Sequence, residues 1–90
     1  MKKAAKKVVK QIPSGTHFDI HFVVTKLFQD HTREYYRLVR DHPNINQAML
    51  VKWLGKAIVD HCSDCEYIGK STSYNIRGNA TSVRLFKKVK

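Results

Sequence analysis

The stretch DHPNINQAMLVKWLGKAIVDH, residues 41–61, decides the fold of this chain. Pro43 disfavours a helical conformation of the residue before it, so one helix ends here and another begins. Asn44 is a good N-cap residue, and Gln47 forms a capping-box-like pair with it. The stretch therefore predicts a helix from residue 45 to about residue 61.

This helix, the third predicted in the chain, has two different faces. Side chains spaced three and four residues apart share its buried side, and these are Leu50, Leu54, Ala57, Ile58 and His61. The opposite side is small and basic, and it carries Ala48, Lys52, Gly55, Lys56 and Val59. A face of this kind lets a nucleic-acid backbone or groove approach closely.

Two shorter helices are predicted upstream. Thr16 offers a hydroxyl N-cap, and Asp19 follows three residues later. Apolar residues at helical spacing then predict a first helix over roughly 17–29. A second helix is predicted from residue 32 or 33 to residue 40. The alternative is one continuous helix across residues 30–32, because no Gly or Pro lies there. The inward-facing residues of the second helix are expected to be Tyr35, Leu38 and Val39.

Beyond the third helix the apolar period changes to two, which is typical of β-strands. Tyr74 and Ile76 flank a polar residue, and apolar residues alternate again over 83–89. The Gly-Asn pair at 78–79 suits a tight turn that needs a positive φ. The pattern predicts a C-terminal two-stranded hairpin in which Tyr74 lies roughly opposite Val83.

The formal net charge of +10 lies at the two ends of the chain. Residues 1–10 hold five lysines and no acidic residue, and residues 66–90 hold six cationic residues against one acidic residue, whereas residues 11–65 are neutral overall. Basic residues segregated in this way are typical of nucleic-acid binding, because they neutralise phosphates and release counterions.

The N-terminal lysines alternate with apolar pairs at near-helical spacing. A helix this short, carrying like charges, is marginal in isolation. We therefore expect a basic flexible arm over 1–11, followed by a single folded domain over 12–90. The arm would become ordered on a phosphate backbone or, as the alternative, on an anionic membrane surface.

The longest apolar run, Ala48–Val51, is far shorter than a bilayer span, so no transmembrane segment is predicted. No apolar segment of the kind found in secretory signals follows the basic N-terminus. Two cysteines without such a signal indicate a reducing compartment. We expect a cytoplasmic, nucleoid-associated protein.

The segment HCSDC, residues 61–65, contains one CxxC motif beside a histidine. A structural zinc site needs four ligands, and no second knuckle is present in the sequence. His17 and His21 are four residues apart on the first predicted helix, so we expect them to share a face, but no HExxH motif includes them. Paired carboxylates, a phosphate-binding loop and a GxSxG motif are also missing, so we expect no enzyme activity, no metal and no cofactor.

The order of elements over 12–89 resembles a winged helix–turn–helix domain: a helix, a short helix, a turn, a longer helix and a basic hairpin. The resemblance implies an α+β fold with three helices and a C-terminal two-stranded β-hairpin wing. It also implies that the third helix enters the major groove of DNA. The wing would then contact the DNA backbone or the minor groove.

The resemblance also implies which residues contact DNA. Asn and Gln side chains can read adenine, and Lys can reach guanine or phosphate. The hydroxyl residues of the wing are either phosphate contacts or ordinary strand surface. The candidates on the helix are Asn46, Gln47, Ala48, Lys52 and Lys56, and those on the wing are Lys70, Ser71, Thr72, Ser73, Arg77, Asn79 and Arg84.

The function expected from these features is duplex-DNA binding, with a role such as transcription regulation. One alternative is RNA binding through the same basic wing. Another is a protein-interaction module that uses Met49, Trp53 and Val59. Homodimerisation is a further option, because a chain of 90 residues builds only a small core.

Overall fold

The computed structural model describes residues 1–75 and 77–90, so the strand alternation expected at Ile76 lies outside the described residues. Within these residues the chain forms helices and strands in the order α1 (Lys2–Lys10), β1 (His17–Asp19), α2 (Ile20–Asp30), α3 (Thr32–Asp41), α4 (Gln47–His61), β2 (Cys65–Tyr74) and β3 (Ala80–Lys88). The strands form one antiparallel sheet in the order β1-β3-β2. The α+β class expected from the sequence is confirmed.

The first difference from the expected fold is the strand β1. The sequence predicted a helix from residue 17, but residues 17–19 are extended and pair with β3, with Phe18 opposite Phe86. Asp19 is the N-cap of α2, and its carboxylate accepts a hydrogen bond from the Phe22 N–H at 2.9 Å. Because this cap starts the helix after Asp19, the preceding residues are free to join the sheet.

The second difference is α1, which replaces the flexible arm expected over 1–11. Its apolar pairs are all buried, and they are Ala4, Ala5, Val8 and Val9. The helix packs against α4 and α2. A short helix that is marginal alone is stabilised by burying such a face. With α1, the described residues form four helices rather than the three that were predicted.

The helices α3 and α4 lie close to their predicted positions. Residues 32–41 form α3, but Val39 is exposed and it is Glu34 that is buried. The helix α4 begins two residues later than predicted, because Asn46 rather than Asn44 is its cap and accepts a hydrogen bond from the Met49 N–H at 2.9 Å.

The faces of α4 agree with the prediction at most positions. Its predicted inward residues are buried except His61, which is exposed. Gly55, expected on the outer face, is buried instead. The core formed by α4 with α1, α2 and the sheet contains Leu54, Ile58, Ile20, Leu27 and Phe86 among its fully buried side chains.

The hairpin is present, but the predicted opposition of Tyr74 and Val83 is wrong. Tyr74 pairs with Ala80, and Val83 lies opposite Ser71. The Asn75 carboxamide oxygen accepts hydrogen bonds from the backbone N–H groups of residues 77 and 79, at 2.9 and 3.1 Å. This side chain organises a longer connection than a two-residue turn, within which Gly78 adopts the expected positive φ, +81°.

Candidate nucleic-acid interface

A groove of about 640 Å³ lies between the N-terminal half of α4 and the hairpin. The start of α2 contributes Ile20 and His21 to it. Its remaining lining residues are Asn46, Gln47, Ala48, Val51 and Lys52 from α4, and Lys70, Asn75, Arg77, Asn79, Thr81, Ser82, Val83 and Arg84 from the hairpin. The hairpin and α4 therefore form two walls of one elongated site.

The charge of this groove has a single sign. Four of its lining residues are cationic, namely Lys52, Lys70, Arg77 and Arg84, and none of the described lining residues is acidic. A concave surface lined by one sign of charge focuses the electrostatic potential and attracts the opposite charge. The groove is therefore electrostatically suited to a polyanion.

The structure brings most of the sequence-predicted site residues together. Eight of the twelve line the groove, and they are Asn46, Gln47, Ala48, Lys52, Lys70, Arg77, Asn79 and Arg84. The other four, Lys56, Ser71, Thr72 and Ser73, do not line it.

The four predicted site residues that do not line the groove either make other contacts or are exposed to solvent. The Lys56 ammonium forms an ion pair with Asp60 at 3.0 Å on the outer side of α4. The Ser71 hydroxyl lies 3.5 Å from an Asp19 carboxylate oxygen, and Ser73 contacts His21. Thr72 is exposed on β2. The two serine hydroxyls therefore connect β2 to residues 19 and 21.

His21 is a residue whose role the sequence did not indicate. It is buried, and its Nδ1 lies 2.6 Å from the Ser73 hydroxyl on β2. Its Nε2 lies 2.9 Å from the Thr81 hydroxyl on β3. A neutral imidazole has one donor and one acceptor nitrogen, so one hydroxyl donates to the ring and the other accepts. His21 thereby fastens α2 to both strands of the hairpin.

The expectation that His17 and His21 share a helix face is wrong. His17 lies on β1 and is exposed, whereas His21 lies in the first turn of α2. No local sequence signal indicated the role of His21, because its hydroxyl partners are more than 50 residues away.

Arg84 extends from β3 across α4. A Cβ atom built on Gly55 would lie 3.2 Å from the Arg84 Cδ and 3.5 Å from its Nη1. The close approach that the sequence predicted at Gly55 is therefore made by a side chain of the same molecule. The guanidinium carbon lies 6.0 Å from the centre of the Tyr67 ring, within the range of a cation–π contact.

Two side-chain nitrogens that belong to this groove have no hydrogen-bond partner within residues 1–75 and 77–90. They are the Arg84 Nη1 and the Gln47 Nε2, and both are shielded from solvent by the protein. Buried donors of this kind are uncommon, because desolvation without a partner is unfavourable. Because both nitrogens are closed to solvent, an acceptor bound in the groove reaches them only after the side chains shift.

The residues considered for protein interaction lie elsewhere on α4. Met49 and Trp53 are half-buried, and the Trp53 ring meets His42 edge-on, with the ring centres 5.2 Å apart. Val59 is exposed. None of the three lines the groove.

The two cysteines are free thiols, with Cys62 buried and Cys65 half-buried. Burial, reinforced by the negative charge of Asp64, raises the pKa of Cys62 and raises the pKa of Cys65 to about 12. Both are therefore protonated at neutral pH, so neither is an activated nucleophile in this arrangement. Among the described residues, no group of three or more potential metal ligands occurs.

In the described part of the chain, no helix is both long and apolar enough to cross a membrane. Comparisons with protein-family models, with curated proteins and with solved structures found no match to this chain. The geometry and the charge of the groove are therefore the features of this chain that bear on its function.

Proposed function

We propose that this chain binds duplex DNA as a winged-helix module, with α4 as the recognition helix and the β2–β3 hairpin as the wing. The observation that carries the proposal is the groove between them, which has four cationic residues and no acidic residue among its described lining. Polyanion binding is the function that such a surface supports best.

The element order supports the same proposal. The helices α2, α3 and α4 precede the hairpin, and the short strand β1 adds a third strand beside β3. A helix and a β-ribbon that project beside each other can follow a DNA groove and its flanking backbone. Fold alone does not establish function, so the charge distribution carries the greater weight.

The groove residues divide by the kind of contact they can make. Lys52, Lys70 and Arg77 are exposed, and none of them has an ion-pair partner among the residues that the structure describes. These three are positioned to neutralise phosphates. Gln47 and Ala48 lie in the first turn of α4, where a carboxamide or methyl group can contact a base edge.

A second basic surface lies on α1. Its exposed side chains form a lysine-only face made of Lys2, Lys3, Lys6, Lys7 and Lys10. Only Lys7 is ion-paired in the described residues, with Glu34. We assign this face an auxiliary role on the phosphate backbone, in which it adds affinity without reading sequence.

The test is a salt titration with three probes of equal length: duplex DNA, single-stranded DNA and structured RNA. We expect duplex DNA to bind most tightly, with an affinity that falls as salt rises. Four groove cations on phosphates predict a slope of log affinity against log salt of roughly −3 to −4. Absence of duplex binding at low salt overturns the proposal, and tighter binding of RNA assigns the surface to RNA instead.

A further inference from the structure

The Arg84 side chain packs against α4 at a point where the helix has no side chain. Arg84 lies on β3 opposite Lys70, and its aliphatic stem crosses α4 at Gly55, a position without a side chain. The centre of the Tyr67 ring lies 6.0 Å from its guanidinium carbon. The side chain is therefore held where the helix and the hairpin meet, and it lines the groove from there.

This guanidinium is a charge without a counter-charge. Its Nη1 is buried and has no acceptor among the described residues. None of the ion pairs in those residues includes Arg84, and its neighbours in the groove are further cations, among them Lys52 and Lys70. Arg84 is half-buried, and a partly desolvated cation without a counter-charge is unfavourable in the free protein unless something compensates it. An anionic ligand supplies that compensation.

A second side-chain nitrogen that has no hydrogen-bond partner in the described part of the chain belongs to Gln47, which also lines the groove. Its Nε2 is also buried and without an acceptor in the described residues. Gln47 and Gly55 are eight residues apart along α4, or about 12 Å along the helix axis. The helix positions beside which the two donors lie are therefore about two helical turns apart, a spacing that suits an extended row of acceptors better than one small ion.

We infer that Arg84, positioned by Gly55, binds a phosphoryl group, and that Gln47 marks a second acceptor position for the same nucleic-acid strand lying in the groove. The inference rests on the proposed function and adds to it the chemical group that Arg84 binds in the groove. Phosphate suits this position because its oxygens are anionic acceptors that match the planar fork of arginine. A base edge would offer acceptors without the compensating charge.

Gly55 has a positioning role in this arrangement. A side chain at this position would contact Arg84 Cδ at 3.2 Å and would force the arginine to shift. Gly55→Ala therefore displaces the guanidinium while leaving every charge in place. Because alanine is the better helix former, this variant is expected to keep its fold.

The experiment measures the binding of a short duplex at several salt concentrations, together with the thermal midpoint of each free variant. The variants are Arg84→Met, Arg84→Lys and Gly55→Ala. The control is Arg33→Met, which removes an exposed arginine on α3 outside the groove. A parallel arm measures the rise in thermal midpoint caused by inorganic phosphate, compared with chloride at the same ionic strength.

We expect Arg84→Met to weaken duplex binding roughly 10- to 100-fold, since a hydrogen bond to a charged group is lost. Its salt slope should become shallower by about 0.9, the value for one phosphate contact. The thermal midpoint of the free variant should stay level or rise, because a partly desolvated charge without a counter-charge is removed. A purely structural arginine would instead lower that midpoint and leave binding by the folded protein unchanged, which overturns the inference.

If Arg84→Met fails to fold, the variants Arg84→Lys and Gly55→Ala test the inferred phosphoryl contact instead. Both keep the charge, and both are expected to weaken duplex binding about fivefold or more with little change in salt slope. Wild-type binding by both variants, or an equal loss in Arg33→Met, overturns the inference while leaving the proposed function intact.

The phosphate arm separates the two sources of a phosphoryl group. If the wild type binds no duplex at low salt, the proposed function fails. Phosphate stabilisation that disappears in Arg84→Met then assigns the site to a free phosphate compound. If Arg84→Met loses phosphate stabilisation but keeps full duplex affinity, the inferred contact with the nucleic-acid strand is overturned.

Discussion

The ammonium group of Lys88 donates a hydrogen bond to the main-chain oxygen of Val9 at 2.7 Å, although the two residues are 79 positions apart. The same group donates to the oxygen of Ile12 at 3.0 Å and lies 3.4 Å from an Asp64 carboxylate oxygen. Lys88 is almost completely buried. This lysine is a second donor to the Val9 oxygen, which also accepts from the Ile12 N–H, and it donates to the Ile12 oxygen just beyond α1. It thereby ties the C-terminal end of α1 to β3.

Replacing Lys88 with Met should therefore destabilise the protein. The variant removes the Lys88 donor from the Ile12 oxygen and from the Asp64 carboxylate, while the Val9 oxygen keeps only the Ile12 N–H. We expect a cost of about 1–3 kcal/mol in the free energy of unfolding. Chemical denaturation provides the measurement. The matched control is Lys90→Met, at an exposed position. Equal stability of the two variants would show that the Lys88 contacts are not needed to hold α1 in place.

Glu34 should contribute to the loss of stability in acid. The hydrogen bond from Lys7 lowers the pKa of Glu34 below its ordinary value of 4.5, and burial opposes this only in part. A carboxyl group with a lowered pKa stabilises the fold above its unfolded-state pKa and loses that contribution as pH falls through the lowered value. We expect the thermal midpoint of the wild type to fall below about pH 4.5 more steeply than that of Glu34→Gln.

The control for this pH dependence is Glu66→Gln, since Glu66 is an exposed carboxyl on β2. Its thermal midpoint should follow the wild-type curve. Identical curves for Glu34→Gln and the wild type would contradict the assignment.

Lys52 and Lys56 should differ in their importance for DNA binding, although both are exposed on α4. Lys52 lines the groove, whereas Lys56 lies outside it and is already paired with Asp60. Lys52→Ala should make the salt slope of duplex binding shallower by about 0.9. Lys56→Ala should change the slope by less than half of that. The reverse ranking would place the DNA on the outer side of α4.

His21 should control the stability of the hairpin. His21→Leu leaves the hydroxyls of Ser73 and Thr81 without the ring nitrogens that they contact. We expect a loss of about 1–3 kcal/mol and faster hydrogen exchange of the β2 and β3 amides. His17→Gln, at an exposed position on β1, is the control and should change neither quantity. Unchanged exchange in His21→Leu would show that other contacts hold the hairpin.

The sequence by itself determined the elements whose signals are local. Apolar residues three and four apart predicted α3 and most of α4, and period-two alternation with a glycine predicted a C-terminal hairpin. Eight of the twelve candidate site residues line one groove, because a helix face and a hairpin are each encoded within about twenty residues. Helix periodicity and strand alternation depend on neighbouring residues, so both can be read without the fold.

The tertiary structure alone decided the features that join distant segments. The strand β1 exists because residues 17–19 meet β3, and α1 is ordered because it buries its apolar face and meets Lys88. The approach of Arg84 to Gly55 likewise joins β3 to α4. Each of these contacts stabilises the protein only after the chain has closed a long loop. Local sequence patterns therefore carry no signal for these contacts. The contact between β3 and α4 is also the one that positions Arg84 beside the groove.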